Sequence, residues 1–219
     1  YSQASNVGVI VSIAPVFTAI TAHIFLKEEG KLRPAFFMGC VIALIGISLI
    51  SFSGTTMHLN PIGDLLSVGG AIIWSFYSVL SKKIGSFGYS VVQATRRTFF
   101  YGILFMIPAL FIFDFKWDLI RFATPAYLFN IFYLGLGASA ICFVTWNMAV
   151  RILGAIKTSV YIYLAPVVTA VTSVIILHEK ITFLSGLGIL LVVGGLLLSE
   201  QKKKFFSIRG RKQAENVIE

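Results

Sequence analysis

ASNVGVIVSIAPVFTAITAHIFLKE, residues 4–28, and AIKTSVYIYLAPVVTAVTSVIILHE, residues 155–179, are two copies of one sequence. The offset is 151 residues without a gap, and eleven of the 25 aligned positions are identical. Matched Val and Ile carry little weight, because apolar helices resemble one another by composition. Pro15/Pro166, Thr18/Thr169, Thr21/Thr172 and Glu28/Glu179 carry more. A proline inside a helix costs about 3 kcal/mol, so two at one register are not an accident of composition. Beyond a two-residue shift the match resumes, with Gly39 and Gly46 answering to Gly188 and Gly195. An internal repeat of this size governs the reading of everything else.

The composition sets the solvent. The chain is 57% hydrophobic and 12% charged, with a mean hydropathy of +0.88. Soluble domains carry roughly 25% charged residues, so this is an integral membrane protein. Its net charge of +9 therefore bears on orientation in the bilayer, and no nucleic-acid partner is expected. Cys40 and Cys142 both sit in apolar runs and offer neither a disulfide framework nor metal-ligand spacing. Tyr1 runs almost directly into a span, which reads as a fragment of a longer protein.

Seven segments approach the ~20 residues that cross a bilayer. They are 5–26, 34–52, 62–82, 91–113, 126–150, 155–177 and 181–199. The joints are too short for a soluble domain. Pro34, Pro61 and Pro125 open their helices, where a missing N–H does no harm. Arg96 and Arg97 lie inside the fourth segment and are read as snorkelling to the headgroups. The polar, basic tail 200–219 has the composition of a disordered segment.

Lys and Arg sort between alternate joints. Fifteen of the 18 fall on one side, including Lys27, Lys82, Lys83, Arg151 and the tail. Lys116, Arg121 and Lys180 fall on the other. Positive joints face the cytoplasm, which predicts a cytoplasmic C-terminus in the cell membrane. The two copies are the first and sixth spans. Five crossings apart, they run in opposite directions, so the repeat is inverted, as in many secondary transporters. The fold class expected is thus all-α: a polytopic membrane helix bundle with seven spanning helices. Residues 61–199 form one complete five-helix repeat, and residues 1–52 the last two helices of another. Completing that repeat takes about 90 residues before Tyr1 and brings the total to ten helices.

These stretches resemble a known family. ASNVGVIVSIAPVFTAITAHIFLKEE with the Gly39–Gly46 helix resembles the end of one EamA-type unit of the drug/metabolite transporter superfamily. NPIGDLLSVGGAIIWSFYSVLSKK, residues 60–83, resembles the opening of a second unit. AIKTSVYIYLAPVVTAVTSVIILHEK followed by GLGILLVVGGLLL resembles its close. The resemblance implies two inverted five-helix repeats and the movement of small metabolites or drugs along a pathway between them.

Candidate site residues come from polar or kinked positions within spans. Pro15 and Pro166 each deprive a carbonyl of its partner at mid-membrane; they are either packed kinks or paired hinges beside a pathway. A face of small or polar residues runs through Ser12 and Pro15 in the first span, and through Tyr163 and Pro166 in the sixth. Close helix packing explains the small ones, while Tyr163 suits a cavity wall. Trp74 lies mid-span, away from the interfacial belt, on one face with Tyr77. Asn147 either bonds across helices or binds substrate. The pathway candidates are thus Ser12, Pro15, Trp74, Tyr77, Asn147, Tyr163 and Pro166. Glu28 and Glu179 end their helices, where the dipole disfavours carboxylates, and are candidates for a structural latch with Lys27 or Lys180.

A secondary carrier working by alternating access is the leading function, with a small-molecule substrate and the lipid bilayer as partners. A membrane-embedded enzyme needs a nucleophile with its base, or clustered metal ligands. The chain has no Gly-x-Ser-x-Gly, no His-Glu-x-x-His and no paired carboxylates, so no catalytic residue, metal or cofactor is expected. A non-transporting membrane module or inactive fragment is the alternative. In that case polar walls face lipid, which favours self-association.

Overall fold

In hydrocarbon a backbone must satisfy its own polar groups, and for an open chain the helix does this. The computed structural model describes residues 4–26, 34–52, 60–113, 115, 124–177 and 182–200. Among them every regular element is helical. In chain order these are α1 (Ala4–Val11), α2 (Ala14–Phe25), α3 (Pro34–Ser51), α4 (Pro61–Ser86) and α5 (Val91–Ile112). Then come α6 (Pro125–Phe132), a wide π-helical stretch Tyr133–Ile141, and α7 (Cys142–Leu153). A short α8 (Ala155–Val160), a tight 3-10 turn Tyr161–Tyr163, α9 (Leu164–Leu177) and α10 (Phe183–Glu200) close the described chain.

They make seven helical spans long and apolar enough to cross a membrane: Asn6–Phe25, Pro34–Ser51, Pro61–Ser86, Val91–Ile112, Pro125–Leu153, Ala155–Ile176 and Phe183–Glu200. The all-α polytopic bundle expected from the sequence is therefore the observed fold. The third span runs on to Ser86, past Lys82 and Lys83. Large apolar side chains face outward along the spans: Phe105, Phe111 and Phe183 are 78%, 82% and 85% exposed. In water such a surface would aggregate; against acyl chains it is the expected exterior.

The described chain divides into two compact units. The first comprises Tyr1–Phe76 and Ser159–Glu219, the second Tyr77–Thr158.

Two features of the first unit come directly from the repeat. The two copies break at overlapping registers, residues 12–13 in the first and 161–163 in the second. In the first copy α1 ends at Val11 and α2 begins at Ala14. Pro15 has no N–H to give Val11, so the chain tightens: Ile13 N–H bonds the Ile10 carbonyl at 3.0 Å, and Val16 N–H bonds Ile13 at 2.9 Å. Ser12 adds to the knot, its Oγ donating to the Gly8 carbonyl at 2.6 Å. In the second copy the break is the 3-10 turn Tyr161–Tyr163, ahead of Pro166.

The second feature is the crossing of α3 and α10. A Cβ on Gly39 would stand 2.5 Å from the Gly195 carbonyl oxygen, and one on Gly195 equally 2.5 Å from that of Gly39. Gly46 and Gly188 face each other in the same reciprocal way at 2.6 Å. Numbers rise along α3 as they fall along α10, so the helices are antiparallel. Each glycine of one copy meets the other glycine of the second copy, which is the pattern of a local two-fold axis. Backbones this close gain packing and weak Cα–H···O contacts where no hydrophobic force acts between helices.

Candidate functional site

The second unit holds a polar cluster built from three helices. Tyr77 comes from α4, Thr95 from α5 and Asn147 from α7. The Asn147 amide donates from Nδ2 to the Tyr77 hydroxyl at 2.8 Å and to Thr95 Oγ1 at 2.9 Å. The Tyr77 hydroxyl in turn donates to Asn147 Oδ1 at 3.0 Å. Thr95 spends its own proton on the Val91 carbonyl at 2.9 Å, which leaves its oxygen free to accept. Phe143, one turn before Asn147, packs edge-on against the rings of Tyr77 (5.7 Å) and Phe99 (5.2 Å). The aromatic wall fixes the tyrosine ring, and the amide fixes its hydroxyl.

One turn further along each helix lie Ser81, Thr98 and Arg151. With Gly85, Tyr89 and Asn147 they line a shallow crevice. Gly85 leaves room for the Arg151 stem, whose Cγ would lie 3.8 Å from a Cβ there. Arg151 Nη1 reaches the Tyr89 carbonyl at 3.4 Å. Lys82 Nζ donates to the Arg151 carbonyl at 2.8 Å, satisfying one of the carbonyls that the end of α7 leaves open. Gly154 ends that helix with φ +95°, a conformation suited to glycine.

The other candidates fall in the first unit. Ser12, Pro15 and Tyr163 are buried there, Tyr163 with its hydroxyl beside the Cys40 thiol. Trp74 and Pro166 are half-buried. Next to Trp74, Ser75 shares a 3.0 Å hydrogen bond with Thr21, which ties α4 to α2. The structure thus joins Tyr77 to Asn147, and sets Ser12 and Pro15 at one helix break and Tyr163 and Pro166 at the other. Glu28, Glu179 and the tail 201–219 lie outside the described residues. Among the described residues no three His, Cys, Asp or Glu side chains stand together as a metal site would need.

The sequence signature of the EamA-like transporter family matches residues 1–52 and 61–200. The chain belongs to that family. It is an integral, multi-pass membrane protein. An uncharacterized transporter of Archaeoglobus fulgidus is 26% identical over 206 residues, which cover 93% of this chain and 69% of the relative. The uncharacterized transporter YvbV of Bacillus subtilis is 27% identical over 210 residues, 93% of this chain and 65% of the relative. A probable terminal-alkyne amino-acid exporter of Streptantibioticus cattleyicolor is 26% identical over 199 residues, 91% of this chain and 65% of the relative. A protein crystal structure at 21% identity shares the fold with a TM-score of 0.73, over 91% of this chain and 67% of that one. The chain spans about two thirds of the length of these relatives.

Sequence reasoning on this EamA-like chain put Ser81 on one helix face with Trp74 and Tyr77 but did not single out Thr95 or Arg151. A usable signal was present. Asn147 and Arg151 are four apart, as are Tyr77 and Ser81, so each pair shares a helix face. The snorkelling read for Arg97 has a counterpart: its guanidinium lies 5.7 Å over the Tyr89 ring, beyond the start of α5.

Proposed function

We propose that this protein is a secondary carrier of small polar or amphipathic molecules that works by alternating access between its two inverted repeats. The observation that carries the reading is the break at overlapping registers in the first and sixth spans. A broken helix in each of two inverted copies gives a carrier two equivalent bending points. Family membership supports the same reading, since the relatives are named as transporters. In this reading the Tyr77–Thr95–Asn147 cluster is the part of the second unit that meets the solute. Hydroxyls and an amide offer donors and acceptors without a fixed charge. Binding then exchanges internal hydrogen bonds for bonds to solute, which keeps affinity moderate and release fast. The cytoplasmic membrane is the proposed location, with the C-terminal tail inside.

The test is uptake into proteoliposomes. Radiolabelled amino acids, the cargo type in the name of the exporter relative, and cationic drugs form the panel. Saturable uptake of at least one solute, reduced several-fold by Asn147→Ala at equal protein density, is the expected result. Absence of saturable flux for the whole panel in either direction would overturn the carrier reading.

A further inference from the structure

We propose that the crevice between α4, α5 and α7 is a carboxylate-binding subsite, with Arg151 as its counter-charge. The proposal rests on the reading of the second unit as the part that meets solute, and adds the chemical class it recognises.

Charge balance makes the first argument. The described residues of the second unit include Lys82, Lys83, Arg96, Arg97, Arg151 and Lys157, and no Asp or Glu. The acidic residues described anywhere are Asp64 and Glu200. Asp64 stands in the first turn of α4, at the end of that helix away from the crevice. Glu200 accepts the Tyr161 hydroxyl at 2.7 Å. Arg151 therefore has no carboxylate partner among the described residues. Its contact with the Tyr89 carbonyl is single and long at 3.4 Å, whereas a guanidinium offers five N–H donors in a planar fork suited to a carboxylate.

The lining makes the second argument. A terminal arginine on a helix can serve the helix dipole and face water. Arg151 is exposed, yet its stem lies along Gly85 and it lines a shallow crevice together with Ser81, Thr98 and Asn147. Thr98 already gives its proton to the Ala94 carbonyl at 3.0 Å, so its oxygen is an acceptor. One guanidinium among neutral hydrogen-bonding groups matches one negative charge. Lys82 is engaged on the Arg151 carbonyl and Arg97 on the face of the Tyr89 ring, so Arg151 is the one cation among the lining residues, and inorganic phosphate is the competitor from which the labelling must separate a carboxylate. Asn147 and Arg151, one helical turn apart on the same wall, suit a small solute that carries a carboxylate beside a hydrogen-bonding group.

The experiment reads the field in the crevice directly. A cysteine is placed at Ser81 in a Cys142→Ser background, Cys40 being buried. It is then reacted with an anionic methanethiosulfonate and with a cationic one. An uncompensated guanidinium predicts an anionic-to-cationic rate ratio raised ~10-fold over that of 2-mercaptoethanol free in solution. R151K retains most of that ratio, and R151Q lowers it several-fold. Acetate and L-alanine slow the labelling, while L-alaninamide does not. A ratio at Ser81 equal to that of the free thiol in the parent protein overturns the proposal, whatever the stability of the arginine variants. Equal protection by L-alanine and L-alaninamide overturns it too, and stronger protection by inorganic phosphate overturns the carboxylate assignment. These readouts need no flux. Protection without uptake of any solute keeps the subsite and sinks the carrier; uptake without charge-selective labelling does the reverse.

Discussion

Ile13 and Leu164, 151 residues apart, hold the same backbone conformation: φ −75° and ψ −13° in one, φ −72° and ψ −21° in the other. Both lie two positions before a proline, Ile13 just ahead of α2 and Leu164 at the first position of α9. Equal dihedrals at equal register mean that the repeat preserves a local backbone conformation as well as a sequence. Each proline withholds one backbone donor in a medium that cannot replace it. A polar group left over in this way persists where the surrounding structure has a use for it.

Replacing Pro15 or Pro166 with Ala restores a donor for the carbonyl four residues earlier. We expect each variant to reach normal abundance and to transport several-fold more slowly, because a straighter helix favours one of the two access states. Uptake per molecule of protein is the measurement. Unchanged uptake in both single variants and in the double variant would reduce the prolines to packing elements.

The glycine crossing yields a sharper expectation. Gly46→Ala drives a methyl group to within 2.6 Å of the Gly188 carbonyl, and a backbone cannot rotate away as a side chain can. A loss of about 1–3 kcal/mol is expected, read as a lowered midpoint in detergent unfolding. Gly188→Ala should cost the same within error, because the contact is reciprocal. Gly69→Ala meets nothing within 4 Å and should gain up to about 1 kcal/mol from helix propensity. Equal midpoints for the Gly46 and Gly69 variants would contradict the crossing.

How far these features were legible varies with the physics behind them. Span number and position follow from bilayer thickness and backbone satisfaction, so the described spans lie close to those read from hydropathy. The helix breaks were legible because proline leaves a visible mark. The glycine pairs were visible as a repeat, yet a sequence match aligns Gly39 with Gly188, while packing sets Gly39 against Gly195. Contact partners of antiparallel copies are reversed relative to their alignment, and no one-dimensional comparison contains that reversal. Thr95 stayed hidden because a threonine that bonds its own helix looks like every other such threonine. The π-helical stretch Tyr133–Ile141 carries Gly135 and Gly137 but no proline, so nothing in the sequence marks it.

Within the polar cluster the three side chains should behave as one unit. Asn147→Ala removes the bonds to both Tyr77 and Thr95, and about 1 kcal/mol of stability is expected to go with each interhelical bond lost. Tyr77→Phe removes two of the three bonds, keeps the one to Thr95, and should cost about two thirds as much. The double variant should cost less than the sum, with a coupling of about 0.5–1.5 kcal/mol in unfolding measurements. Strict additivity would show that the three helices are not joined here.

Orientation is testable at described positions. Ser90 immediately precedes α5, the fourth span, and Thr124 immediately precedes α6, where the fifth span begins. The bias in Lys and Arg puts Ser90 inside and Thr124 outside. An impermeant thiol reagent added to intact cells should label Thr124→Cys and spare Ser90→Cys until the membrane is opened. The opposite pattern would invert the topology.

The crossed glycines also constrain how such a chain drifts once a duplication has produced it. Common descent pairs Gly39 with Gly188, but the space each occupies is owned by a neighbour that descends from the other glycine. A bulkier residue at 39 meets the backbone of 195 and not that of 188, so it is tolerated only where the crossing opens at 195 as well. Divergence in one copy is therefore policed by the non-homologous position of its sibling. Among relatives, covariation across the repeat should run along the diagonal 39–195 and 46–188, leaving the ancestral pairs free to part.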